Sequence, residues 1–333
     1  MQPYRLAIVI SCWNYERYIA KAIESVVAQR RSDCELVVVD DGSSDKSWEI
    51  IQGLRVKAFR LPNGGQLAAC LYGFEQTSAP FVLFLDADDE LGPGSLAKII
   101  GELDEDVAKL QFSMDRIDGE GKLIAEAVPL QKFRCRQELV DKVLKNAVYV
   151  TPPTSGNVFR RDVCELLREV DYDRATDGII LFVAPFFGDV VSLSETLGHY
   201  RIHDRNDSGI GRSLDAASLY RELRRFVDRT AHLSQVLGRL NYPRQLVRPE
   251  DTYFYHERSF YYAVATGRRP AFFELAKLLY SLINADFGWK PKSGLAAFFI
   301  LTTVLPNKRA REGLAYRLEA GKRSLLGLLL SIL

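Results

Sequence analysis

The sequence predicts an α/β protein in which a parallel-dominated sheet flanked by helices is followed by an α-helical region. Three observations carry this. From Leu6 to about Leu103, short apolar runs alternate with segments of helical period, as in a parallel sheet covered by helices. Acidic clusters close the second and fourth of those runs. Beyond about Arg212 the pattern turns to long amphipathic helices, and the charge turns with it: residues 1–212 hold 25 basic and 33 acidic residues, residues 213–333 hold 19 and 10. Two domains are expected, 1–212 and 213–333.

Four strands are predicted first: Leu6 to Ser11, Glu35 to Asp40, Val56 to Arg60 and Phe81 to Asp86. Between them, Ile19, Ile23, Val26 and Val27 share one helical face, and Trp48, Ile51 and Leu54 share another, with Ser43-Ser44 as its N-cap and Asp45 in its first turn. A third helix runs from Gln66 to Thr77. Further strands follow over Val107 to Met114 and Lys122 to Val128 about a turn at Asp118-Gly119-Glu120-Gly121, and a helix over Arg136 to Asn146. Thr151 to Gly156 is a loop imposed by Pro and Gly, of the kind that commonly binds ligands. The second domain reads as helices over Leu214 to Leu240, Thr252 to Thr266, Ala271 to Ala285 and Gly294 to Leu305, with an apolar tail from Leu325.

Composition bounds the function. Five cysteines, an odd number without CxxC spacing, suggest neither a disulfide framework nor a zinc site. The N-terminus is too short and polar for a signal peptide, and no apolar run approaches the ~20 residues that span a bilayer. A cytoplasmic protein without a nucleic-acid partner is expected. The basic helical region has three roles open to it: shaping an acceptor side, forming a homo-oligomer, or contacting the cytoplasmic face of a membrane. For the last, Gly294 to Leu305 with its basic flanks is the candidate.

The chemistry concentrates at Phe81-Val82-Leu83-Phe84-Leu85-Asp86-Ala87-Asp88-Asp89, an apolar strand that runs into three carboxylates. Carboxylates so close repel unless a cation lies between them, and Mg2+ or Mn2+ takes oxygen ligands, with substrate phosphates completing the shell. Asp40-Asp41-Gly42-Ser43 closes the second strand in the same way. Ligands of open α/β sheets bind beyond the strands' carboxyl ends, where such acids can accept hydrogen bonds from a nucleobase or ribose. A solvated strand end and a turn with an N-cap are the plainer readings of the two clusters. The absence of GxGxxG after the first strand argues against a dinucleotide fold.

Ser11-Cys12-Trp13-Asn14, Asp40-Asp41-Gly42-Ser43, Asn63-Gly64-Gly65 and Phe84-Leu85-Asp86-Ala87-Asp88-Asp89, in that order, resemble the family 2 inverting glycosyltransferases with a GT-A fold. Ser155-Gly156-Asn157-Val158-Phe159-Arg160-Arg161 resembles that family's acceptor-side segment, and Tyr200-Arg201-x-His203-x-x-Asn206-x-Ser208 the close of its catalytic domain. The resemblance implies a nucleotide-sugar site formed by Ser11, Asn14, Asp40, Asp41, Gly65, Asp86 and Ala87, and a divalent metal held by Asp88 and His203. It further implies acceptor-side Ser155 and Gly156, and Asp177 as catalytic base, with Thr176 where the family carries Glu. A UDP-sugar donor and a glycan or lipid-linked acceptor follow, in glycan or polysaccharide biosynthesis. Two rivals are a haloacid-dehalogenase-type phosphatase with Asp86 as nucleophile, because an apolar strand ending in Asp-x-Asp also serves there, and a non-catalytic nucleotide-sugar-binding module. For Asp177, helix N-capping is the competing role.

Overall fold

The computed structural model describes residues 4–127, 131–173, 175–176, 178–203 and 215–318. The chain divides into two compact units, Met1–Lys142 with Val148–Arg201, and Val143–Ala147 with Ile202–Leu333. The boundary expected near residue 212 falls among the undescribed residues 204–214.

In the first unit the strands are β1 (Leu6–Cys12), β2 (Cys34–Asp40), β3 (Lys57–Arg60), β4 (Phe81–Asp86), β5 (Glu90–Leu91), β6 (Val107–Ile117), β7 (Leu123–Ala125), β8 (Phe133–Cys135), β9 (Asn157–Arg160) and β10 (Asp189–Arg201). The helices are α1 (Ile19–Val27), α2 (Ser47–Gly53), α3 (Gln66–Glu75), α4 (Ser95–Gly101), α5 (Gln137–Asn146, whose last turn belongs to the second unit), α6 (Arg161–Cys164) and α7 (Gly178–Phe187). One sheet runs in the order β3-β2-β1-β4-β9-β6-β10-β5, with β7 paired to β6 and β8 to β10. The first four strands are mutually parallel, β9 runs against β4 and β6, and β10 is parallel to β6. This is the GT-A class of mixed, mostly parallel sheet.

The inner strands explain themselves. Leu6 to Ile10 and Phe81 to Leu85 are buried along their whole length, as strands covered on both faces must be. Chain order reverses between β1 and β4, because β2 and β3 lie to one side of β1 and β4 to the other. Such a switch point leaves a crevice outside the carboxyl ends. Register brings those ends level: Cys12 faces Asp40 and Ser11 faces Asp86.

Of the elements that differ from the sequence prediction, three bear on the site. α2 starts at Ser47 with no side-chain cap, because Ser43 and Ser44 are hydrogen-bonded to Asn14 instead. β9 lies directly after the expected loop, whose residues Thr154–Gly156 form one 3-10 turn. β10 was not foreseen, yet it forms a sheet partner along most of β6.

The second unit holds α8 (Ala216–Arg239), α9 (Tyr253–Ala265), α10 (Phe272–Asn284), α11 (Trp289–Val304) and α12 (Asn307–Leu318). Phe260, Tyr261, Leu278, Leu282, Phe298, Phe299 and Leu314 form its core. Among the aromatics of α9, Phe260 and Tyr261 are buried in that core and Tyr253 and Tyr262 pack against it. No helix among the described residues is long and apolar enough to cross a membrane.

Candidate active site

The centre of the site is the acidic turn after β4. Carboxylate oxygens of Asp86, Asp88 and Asp89 lie within 4.8 Å of one another, with Asp86 half-buried and the other two buried. Burial and the neighbouring Asp88 and Asp86 charges hold the Asp89 carboxyl well above the usual carboxylate range. One Asp89 oxygen accepts from the Arg201 amide at 2.9 Å, and the other has no hydrogen-bond partner among the described residues. Three converging carboxylates, one with a buried orphan oxygen, fit a hard divalent cation in donor type and spacing.

Arg201 organises this turn. Fully buried at the end of β10, it donates from Nε to the Asp88 carbonyl at 2.8 Å, from Nη1 to the Asp118 carbonyl at 3.0 Å and from Nη2 to Glu90, with its guanidinium stacked 4.9 Å from the centre of the Tyr18 ring. Its donors thereby tie the Asp88 carbonyl and Glu90 beside the acidic turn to the Asp118 carbonyl after β6.

On the donor side, Asp41 is nearly buried and its two oxygens accept from the Gly64 and Gly65 amides at 2.7 and 2.8 Å. Its carboxylate thereby shapes the Asn63-Gly64-Gly65 turn. Asp40 is wholly buried, paired with Arg60 at 3.2 Å and accepting from the Ser43 amide. Asn14 takes a left-handed φ of 58°, and its Oδ1 accepts from the Ser44 and Asp45 amides, stitching the end of β1 to the turn after β2. That turn needs Gly42: φ is +72°, and a Cβ would stand 2.8 Å from the Asn63 nitrogen.

Ser155 and Gly156, expected on the acceptor side, are both buried. Ser155 Oγ accepts from the Asp86 amide at 3.0 Å, so it braces the acid strand from within. A Cβ at Gly156 would meet Pro152 at 2.8 Å. Buried Lys109 supports the same loop through Tyr149 and Thr151, and Thr151 in turn donates to Asn157. Ala87 is buried between Asp86 and Asp88. His203 is half-buried, two residues beyond β10 and within the second unit. Asp177 lies outside the described residues, but its neighbour Thr176 is buried, with the Cys70 thiol alongside its hydroxyl and that of Ser11, within reach of the Asp86 and Asp41 charges.

Three residues at the site escaped the sequence reading. Gln66 Nε2 donates to Asp86 Oδ1 at 2.6 Å from the first turn of α3. The Tyr15 hydroxyl sits where burial and then the Asp88, Asp86 and Asp89 charges disfavour its ionisation. Arg201 stood within a recognised motif, but its grip on the acidic turn runs between distant strands, and nothing in local spacing announces it.

The model of the family described as glycosyl transferase family 2 matches residues 7–167, the stretch that contains β1 to β4 and the acidic turn. Through this domain the chain belongs to glycosyl transferase family 2. An uncharacterized glycosyltransferase of Nostoc sp. is 36% identical over 214 residues, covering 61% of this chain and 66% of the relative. The GalNAc(5)-diNAcBac-PP-undecaprenol beta-1,3-glucosyltransferase of Campylobacter jejuni is 34% identical over 133 residues, covering 37% of this chain and 41% of that one. These matches therefore span about two thirds and two fifths of the relatives' own lengths. Residues 1–349 of TarS from S. aureus, solved in complex with UDP-GlcNAc, share the fold with a TM-score of 0.54 at 16% identity, covering 94% of this chain and 86% of that one. Family membership removes the main support for the phosphatase reading, which rested on the Asp-x-Asp strand end alone.

Proposed function

We propose that this family 2 protein transfers a sugar from a nucleotide-sugar, a UDP-sugar first among candidates, to an acceptor hydroxyl with inversion and with Mg2+ or Mn2+ assisting. The observation that carries the reading is the convergence of Asp86, Asp88 and Asp89 beside the β1/β4 switch point, level with the Asp41-shaped turn. The UDP-GlcNAc named for TarS supports a UDP-sugar, and the undecaprenol-linked substrate named for the Campylobacter enzyme supports a glycan or lipid-linked acceptor.

Asp86 and Asp88 would hold the cation, with Asp89 behind them, while His203 is assigned to the diphosphate side. A bound divalent cation supplies Lewis-acid stabilisation of the nucleoside diphosphate leaving group. Asp41 presents the Asn63–Gly65 turn to the nucleotide, Asp40 and Asn14 keep that turn's neighbour in place, and Ser11 and Gly65 edge the same crevice. Asp177 takes the acceptor hydroxyl's proton as its oxygen bonds to the anomeric carbon, and the bond from that carbon to the diphosphate oxygen breaks with the electron pair leaving on the diphosphate. Attack opposite the leaving group needs one base and no covalent intermediate, hence inversion. Ser155 and Gly156 are assigned to the acceptor side of the site, with Ser155 Oγ also bracing the Asp86 amide.

Purified protein supplied with UDP-sugars and Mn2+ should release UDP, and chelation should stop it. Asp177→Asn should lower release at least a hundredfold at unchanged Tm. Wild-type turnover by that variant would remove its assigned role. Absence of metal-dependent release across UDP-, dTDP- and GDP-sugars, with binding retained, would favour the non-catalytic module.

A further inference from the structure

The outward faces of α10 and the start of α11 carry an apolar surface that the helical core does not use. Leu275, Leu278 and Leu282 of α10 point into the core. On its other side Phe272, Phe273, Tyr280 and Ile283 are 85, 63, 72 and 65% exposed, and Trp289, which opens α11, is 79% exposed. A helix apolar on both sides is normally covered on both. The segment singled out from sequence, Gly294 to Leu305, instead turns Phe298 and Phe299 inward and leaves only Ile300 and Val304 well exposed among its large residues.

The charge balance of the stretch that carries this surface points to what covers it. Between residues 268 and 317 stand nine basic and three acidic residues. Two of the acids are already engaged, Glu274 by Arg268 and Asp286 by Lys145. Lys277, Lys290, Lys308, Arg309 and Arg311 are exposed. Tyr and Trp favour the membrane–water boundary, and lysine stems lie along apolar surface while their heads reach phosphate. The core of a protein–protein interface is, by contrast, depleted in lysine.

We propose that this face, centred on Phe272, Phe273, Tyr280, Ile283 and Trp289, rests on an anionic lipid surface, with Lys277 and Lys290 paired to headgroup phosphates. The contact is interfacial, and it does not depend on the transfer reaction proposed above.

Co-sedimentation of the full chain with vesicles of mixed phosphatidylglycerol and phosphatidylcholine tests it. The protein should pellet with these and not with pure phosphatidylcholine, and 0.5 M salt should release most of it, since headgroup attraction is screened within roughly a Debye length. The exposed-site variant Phe273→Ser/Tyr280→Ser/Trp289→Ser, checked for unchanged Tm, should bind at least about tenfold more weakly, and Lys277→Glu/Lys290→Glu should do likewise. Three results would overturn the proposal: no pelleting, pelleting by both variants equal to wild type, or a wild-type dimer that the serine variant converts to monomer without any vesicle binding. The second would place the contact elsewhere on the chain, and the third would make the occupant a second copy.

Discussion

Asp88 is 7% exposed and stands beside two further carboxylates, so each negative charge in the trio raises the cost of the others. Replacing it by Asn should leave the metal-free protein as stable as wild type or more so, by about 0–2 kcal/mol, while removing cation-dependent nucleotide binding. A purely structural acid would do the opposite, and thermal melts with and without Mn2+ separate the two. Arg201 is the counter-example: Arg201→Met orphans Glu90, the Asp88 carbonyl and the Asp118 carbonyl, and should destabilise by roughly 3–5 kcal/mol, read as a shift of the urea midpoint. The Cys12 and Cys70 thiols, pushed up to about 12 by burial, should resist alkylation at pH 8 in the native state. The sign of their pH effect follows. An unfolded thiol ionises near about 8.5, so the stability tied to the protonated buried form is full below that pH and is lost as pH rises toward about 12. Cys70→Ala should flatten the alkaline fall in Tm.

α3 connects packing to the site, since Gln66 in its first turn reaches Asp86 while Gly73, two turns on, lies against β1. A Cβ at Gly73 would stand 2.5 Å from Val9 Cγ1, so Gly73→Ala should push the helix from the sheet, costing about 1–3 kcal/mol in chemical denaturation and weakening nucleotide binding together. The elements that sequence made legible were those with one dominant signal. β1 and β4 are apolar runs because they are buried on both faces, and the acids that close β4 are conspicuous for the same reason. β10 was hidden by Ser194 and Glu195, which lie within a register shift against β6, and by Gly198 and His199, which are held in the strand by pairing with Met114 and Asp115, not by their own preference. β9 was hidden by its brevity and by the Pro-Gly loop before it. Asp86, Asp88 and Asp41 stand out in the sequence as candidates, whereas Gln66, Tyr15 and Arg201 act across the fold and carry no local mark.

Over the whole molecule, the first unit supplies a switch-point crevice with its acids level across β1, β2 and β4, and the second unit supplies a basic helical surface with exposed aromatics. The reading of the first unit stands on one cation serving both Asp88 and a nucleoside diphosphate. Ligands that bind only the folded state raise its stability by about 2.7 kcal/mol at a hundred times Kd, which for a protein of this size is a Tm rise of roughly 4 °C. The most direct measurement is the Tm shift produced by UDP with and without Mn2+, in wild type and in Asp88→Asn. A shift that needs Mn2+ in wild type and vanishes in the variant is expected; an equal shift without Mn2+, or an undiminished one in Asp88→Asn, would contradict a shared cation at that turn.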